Sequence, residues 1–263
     1  MKRHWKKFAI GFAALIVLVL GGSFLYAKVF NKADPAFGQT DVEKRIAAAA
    51  ASTTLVLTEA EVLTTTITSD PATPEATAAA AAVTTTSAAT ATPAGAADGT
   101  WNIKEGSEVG YRVKESINGF DTTANGRTQV ITGTMVASGT TITTGEFTVD
   151  MTTFSSDESK RDAQFNGRVM DVETYPTSTF VLTQPIDFGE IPPEGGTVTA
   201  SATGDLTLHG TTKSVTFDVQ GTFQNGLVGV LGQIPVLFAD YGIPAPSLGT
   251  VTTEDNGLLE FVL

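Results

Sequence analysis

The sequence predicts an all-β domain over residues 98–263, folded as an antiparallel eight-stranded barrel closed on itself. Two observations carry that prediction. Segments of strict period two recur from Trp101 to the C-terminal residues, each with one apolar and one polar face. Between them stand Asn-Gly pairs at 118–119, 125–126, 166–167, 225–226 and 256–257, the dipeptide that favours the positive backbone angles of tight hairpin turns.

The strands are expected near residues 101–104, 108–116, 127–137, 140–153, 178–188, 197–208, 213–224 and 227–239, with a last short piece at 258–263. In SEVGYRVKE, Val109, Tyr111 and Val113 share a face opposite Arg112 and Lys114. In GEFTVDM, Phe147, Val149 and Met151 oppose Glu146, Thr148 and Asp150. Phe180 and Leu182 alternate in the next strand. TVTASATGDLTL then places Val198, Ala200, Ala202, Leu206 and Leu208 on one side and its threonines, Ser201 and Asp205 on the other. Val215, Phe217 and Val219 follow with the same period, then Val236 and Phe238. These apolar residues are the candidate lining of the interior. A sandwich would usually carry a tryptophan in its middle strands, whereas Trp101 stands at the edge of the domain. A closed barrel with an interior for side chains or one ligand fits better.

Residues 154–176 break the alternation and read as a short helical crossover ended by Pro176. Ser156 is its expected cap, and Asp157 and Arg161 are spaced for a pair one turn apart.

Ahead of the barrel lie two segments of other character. Residues 1–30 combine a basic start (Lys2, Arg3, Lys6, Lys7) with an uncharged apolar run, and residues 8–27 are long enough for a transmembrane helix. A cleaved signal peptide, and so a secreted chain, is the competing reading; Leu25-Tyr26-Ala27 offers only one of the two small residues that cleavage needs. The basic flank keeps the N-terminus cytoplasmic and places everything after Phe30 outside. Residues 31–97 read as a spacer, with a short helix in DVEKRIAAAAA capped by Asp41, then an Ala/Thr-rich low-complexity stretch expected to stay disordered or extended.

Absence of cysteine excludes disulfides, thiol catalysis and thiolate metal sites. The formal charge of −12 argues against nucleic acid, which demands clustered Lys and Arg. His209, set between Asp205 and Asp218 and near Lys213, invites a catalytic reading. Its place between two inward-facing runs, in HGTTK, makes it a turn residue instead, because a general base needs a partner to receive the proton.

GDLTLHGTTKSVTF resembles the hallmark hairpin of the YceI-like family, written roughly Gly-x-Leu-Thr-x-His-Gly-x-Thr-Lys/Arg-x-Val. The resemblance continues in order through GSEVGYRV, GEFTVDM, SDESKRD, YPTSTFVLT, FADYGIPAP and GLLEFVL. Gln164 stands where many members carry a histidine, and FADYGIP where many have Asn-Arg-x-Asp-Phe-Gly. The resemblance implies a lipocalin-like barrel whose apolar interior holds a long-chain isoprenoid lipid of polyprenyl or quinone type, outside the cytoplasm, with no catalytic residues and no cofactor. The chain would bind that lipid for storage, transport or sensing, meet the membrane through its N-terminal helix, and is compatible with a homodimer. A non-catalytic structural or adhesive head on a stalk is the alternative. A lipid-modifying enzyme is less favoured: the carboxylates Asp157/Glu158 and Asp171/Glu173 are expected to be solvated, and no phosphate loop, nucleophile elbow or metal-ligand spacing occurs.

Overall fold

A computed structural model describes residue 22 and residues 33–62, 98–247 and 249–263. The expected transmembrane helix over residues 8–27 and the low-complexity stretch after residue 62 fall outside the described residues. Among those described, no helix is long and apolar enough to cross a membrane.

The domain is an antiparallel, strongly curled sheet. Its strands are β1 (Gly99–Asn102), β2 (Glu108–Ile117), β3 (Phe120–Thr128), β4 (Ile131–Ser138), β5 (Thr141–Asp150) and β6 (Thr177–Leu182). They continue as β7 (Ile186–Asp187), β8 (Thr197–Leu208), β9 (Thr211–Gln224), β10 (Leu227–Leu237), β11 (Val251–Thr253) and β12 (Asn256–Val262). The neighbour order is β1-β4-β5-β6-β8-β9-β10-β12-β2-β11, with β3 on β2 and β7 on β5. Gly99 faces Ala137 and Asn102 faces Thr134, while Val109 faces Thr128 and Ile117 faces Phe120. So β1 and β2 run against β4 and β3 as two parts of one bent hairpin. β2 then takes β12 on its other edge, Val109 against Phe261.

The expected eight strands are therefore not the observed count, which is twelve strand segments. Two interruptions, at 129–130 and between Leu182 and Ile186, divide expected strands, and β11 (Val251–Thr253) was not expected. The segment Phe120–Ala124, which sequence reasoning left out, is strand as well. Its expected turn was misplaced. Asn118-Gly119 and Asn225-Gly226 are hairpin bends, with both asparagines at positive φ (51° and 53°). Asn125-Gly126 instead lies inside β3, and Asn256-Gly257 inside β12. Gly126 is there for room, since a Cβ would come within 2.5 Å of the Tyr111 ring packed across it.

The crossover holds a short helix, α2 (Ser159–Gln164, labelled after the N-terminal α1 below), and a single π-helical turn, Phe165–Val169. Its cap is Glu158 rather than Ser156: the Glu158 carboxylate accepts from the Lys160 N–H, whereas the Ser156 hydroxyl is drawn to Asp162 at 2.6 Å. The Asp157–Arg161 pair is present.

Helix α1 (Gln39–Val62) is longer than the short helix expected. It starts before Asp41, whose carboxylate reaches back to the Gly38 N–H at 2.9 Å, as an acidic residue in the first turn does in a capping box. Residues 34–46, which read as spacer, pack on the outer face of the sheet. Phe37, Val42 and Ile46 bury themselves with Val262, each contributing roughly 1.5–3 kcal/mol by leaving water. Gly229 of β10 admits this approach, because a Cβ there would stand 2.4 Å from Val42. Under the same segment lies Glu260, 0% exposed, which accepts from the Phe37 N–H (3.3 Å) and from Arg127 (3.1 Å), with Arg112 at 3.6 Å. The Arg127 guanidinium also lies 4.1 Å from the centre of the Phe37 ring.

Candidate functional site: an apolar interior

Period-two strands send every second side chain inward, so a curled sheet of them makes an apolar interior without further instruction. Here the interior is not filled. Three cavities lie along it in a row. The first, about 490 Å³, sits at the crossover end and is walled by Tyr111, Val113, Leu208, Val236 and Phe238, with Phe154, Phe165 and Val169 of the crossover. The second, about 120 Å³, is central; Val109, Phe147, Val149, Phe180, Leu182, Ala202, Leu206, Phe217 and Val219 line it. The third, about 830 Å³, opens at the other end between the sheet and α1, among Trp101, Val42, Ile46 and Ala49–Ala51.

Shared walls establish the order. Leu259 borders both the first and the second cavity, and Met135, Phe147, Val230 and Leu263 border both the second and the third. Along β8 the inward residues pass from Ala202 and Leu206 in the centre to Leu208 at the crossover end. Along β10 they pass from Ile234 to Val236.

The waist is aromatic. Phe180 and Phe261 each meet Phe217 edge to face, with centroids 5.6 and 5.9 Å apart, an arrangement that puts ring edges against ring faces. At the crossover mouth Tyr111 stacks on Phe165 at 4.7 Å, and Phe154 closes the group at 5.1 Å from Phe165. Polar groups gather at that mouth only in small number. Burial pushes the Tyr111 hydroxyl well above its ordinary range, an effect that Arg161 opposes. Burial also works against the charge of Arg161, yet Glu115 at 3.5 Å and Asp157 outweigh it and hold the guanidinium above its usual value. The whole is a largely apolar passage with a polar rim, of a shape that can take an elongated apolar molecule. Among the described residues no cluster of histidine and carboxylate could hold a metal ion.

Fourteen of the lining residues read from the sequence border the two cavities at the crossover end and in the centre. Val198 lies outside that row, beside a small cavity of about 60 Å³ under Phe188. Ala200 and Val215 pack against the core without bordering any of these spaces. Sequence reasoning missed Ile131, Met135, Ile142, Phe154, Phe165, Leu259 and Phe261. Ile131 and Met135, and Leu259 and Phe261, keep the period of their strands, so the alternation is a signal that could find them. Phe154 and Phe165 had no such signal, since a π-helical turn keeps neither period.

His209 occupies the β8–β9 bend at φ 50°, its Nδ1 lying 3.2 Å from the Tyr241 carbonyl oxygen and its ring 4.6 Å from that of Tyr175. It is a turn residue with local partners. His209→Asn, which keeps the left-handed bend, is expected to cost about 1 kcal/mol or less in urea unfolding, the scale of one hydrogen bond. Lipid titration of the same variant should stay within a few-fold of the parent; a well-folded variant that has lost binding altogether would return the histidine to the site.

The chain is 32% identical over 103 residues to the UPF0312 protein of Vibrio campbellii, and spans about half of that protein's length (51%). Its fold is similar to that of a polyisoprenoid binding domain from Saccharophagus degradans, with a TM-score of 0.50 at 15% identity, covering 62% of this chain and 95% of that one. Burkholderia cenocepacia BcnA superposes with a TM-score of 0.47 at 21% identity, covering 59% and 94%. Residues 101–263 match the family model described as the YceI-like domain, and the chain belongs to that family.

Proposed function

We propose that this chain binds a long-chain isoprenoid lipid of polyprenyl or quinone type in the interior of its barrel, and that it stores, carries or senses that lipid outside the cytoplasm. The observation that carries the reading is the row of three cavities through an interior walled by aliphatic and aromatic side chains. A compact ligand needs one rounded pocket; a chain of repeated apolar units needs length and a narrow waist, and each buried methylene contributes about 0.8 kcal/mol. Membership of the YceI-like family and a fold shared with a domain that binds polyisoprenoid support it. The chain acts by binding rather than by catalysis, with its apolar N-terminal run as the membrane anchor.

The test is lipid extraction of the purified full-length protein followed by mass spectrometry. A polyprenyl or isoprenoid quinone species should co-purify in near-stoichiometric amount. Delipidated protein that recovers no isoprenoid from a mixed lipid extract would leave a structural head domain as the better reading.

A further inference from the structure

The low-complexity stretch is not what joins the barrel to its anchor. A tether works only if the chain is free from anchor to head, and here it is caught before the stretch begins. The Arg112 guanidinium donates to the Asp34 carbonyl at 2.7 Å, the Asp34 N–H donates to Asn125 Oδ1 at 3.3 Å, and Arg127 donates to the Pro35 carbonyl. Phe37 then seats on buried Glu260, Gln39 Nε2 donates to Thr222 Oγ1 at 3.0 Å, and Arg45 pairs with Glu108. These contacts lie on β2, β3, β12 and β9. α1 ends at Val62 and the described chain resumes at Asp98, so residues 63–97 connect two points of the same domain. Their length therefore sets no distance between anchor and barrel.

That distance is set by Lys28–Ala33, six residues that can span at most about 20 Å. The strap begins beside Arg112 and Asn125, and Arg112 and neighbouring Ala124 wall the cavity at the crossover end. From there it runs towards the opposite end, where α1 lies. We infer that the barrel is clamped against the lipid bilayer with its crossover mouth towards the membrane, so that the lipid passes between bilayer and barrel over a short gap. The occupant of this surface is the membrane itself. The inference rests on the anchor reading of residues 8–27.

The chain contains no cysteine, so one introduced thiol carries one fluorophore. Thr252→Cys puts a donor on an exposed position at the crossover end, and Ser138→Cys one at the other end. Each full-length variant is reconstituted into phosphatidylcholine vesicles containing a rhodamine-labelled lipid as acceptor. Energy transfer should be clearly stronger from position 252 than from position 138. Inserting twenty Gly/Ser residues after Phe30 adds about 25 Å of reach and should cut the transfer from 252 by about half or more. The same insertion after Thr77 should leave it unchanged. Equal transfer from both ends, or a loss on insertion after Thr77 as large as that after Phe30, overturns the clamp. Chain that washes off the vesicles overturns it through the anchor, and lipid extraction reads isoprenoid binding independently of either outcome.

Discussion

Arg127→Met is expected to destabilise the domain by about 3–5 kcal/mol, the cost of leaving a buried charge without its partner. Glu260 is 0% exposed on the outer wall, beneath Phe37, and Arg127 makes the shorter of its two arginine contacts. The Phe37 N–H and Arg112 at 3.6 Å would be left to hold the carboxylate. The same guanidinium also covers the Phe37 ring and holds the Pro35 carbonyl, so the strap loses these two contacts with one side chain. Urea unfolding of the full-length variant measures the effect. Arg127→Met combined with Glu260→Met should recover most of the loss, because an apolar pair removes the buried charge along with its partner. A single variant within 1 kcal/mol of the parent would mean that Glu260 is satisfied without Arg127, and that the strap is held by its apolar residues alone.

This contact also marks where sequence reasoning stops. The barrel-like class and most of its inner face were legible because period two is a local property: Val198 to Leu208 declare their sides without reference to any partner strand. Strand continuity was less so. Asn125-Gly126 carries the signature of a bend, yet the Tyr111 ring on one side and β2 along its edge hold it in an extended strand. The strap was illegible for a stronger reason. The segment 34–46 is mostly polar, with Phe37, Val42 and Ile46 too sparse to declare a face, and only Glu260, Arg112, Arg127 and Gly229, all far along the chain, turn it into part of the domain. The crossover was readable as helical, but not which of its side chains enter the interior, since the π-helical turn alters the facing of Phe165.

Ala202→Phe is expected to lower isoprenoid affinity about 100-fold while leaving the delipidated protein within about 1 kcal/mol of the parent. Ala202 is 1% exposed and borders the central cavity directly across from Phe217. At about 120 Å³ this is the smallest of the three spaces in the row, so a ring placed there would fill much of the link between the larger two. Three or four methylenes displaced at about 0.8 kcal/mol each amount to roughly two decades of affinity. Unfolding of the lipid-free protein and titration with a polyprenyl or quinone ligand are read together. A packed core would give the reverse pattern, a loss of roughly 1–3 kcal/mol from overpacking, with a parent that binds no such ligand.

The pairing of β2 with β12 has a consequence for how the protein is made. Val109 and Phe261 are neighbours across a ladder, although nearly the whole domain separates them along the chain. Every other long ladder in the sheet joins strands closer in sequence, and these can form as the ribosome delivers them. The seam cannot. Until β12 emerges, the apolar faces of β2 and β10 and their open edges have no cover, and the nascent chain resembles an unfinished sheet rather than a smaller domain. Loop-closure entropy makes such a seam slow to form, which places the domain among the slow folders. The consequence is a period in which the open edges can pair with other chains, so that aggregation competes with closure of the seam.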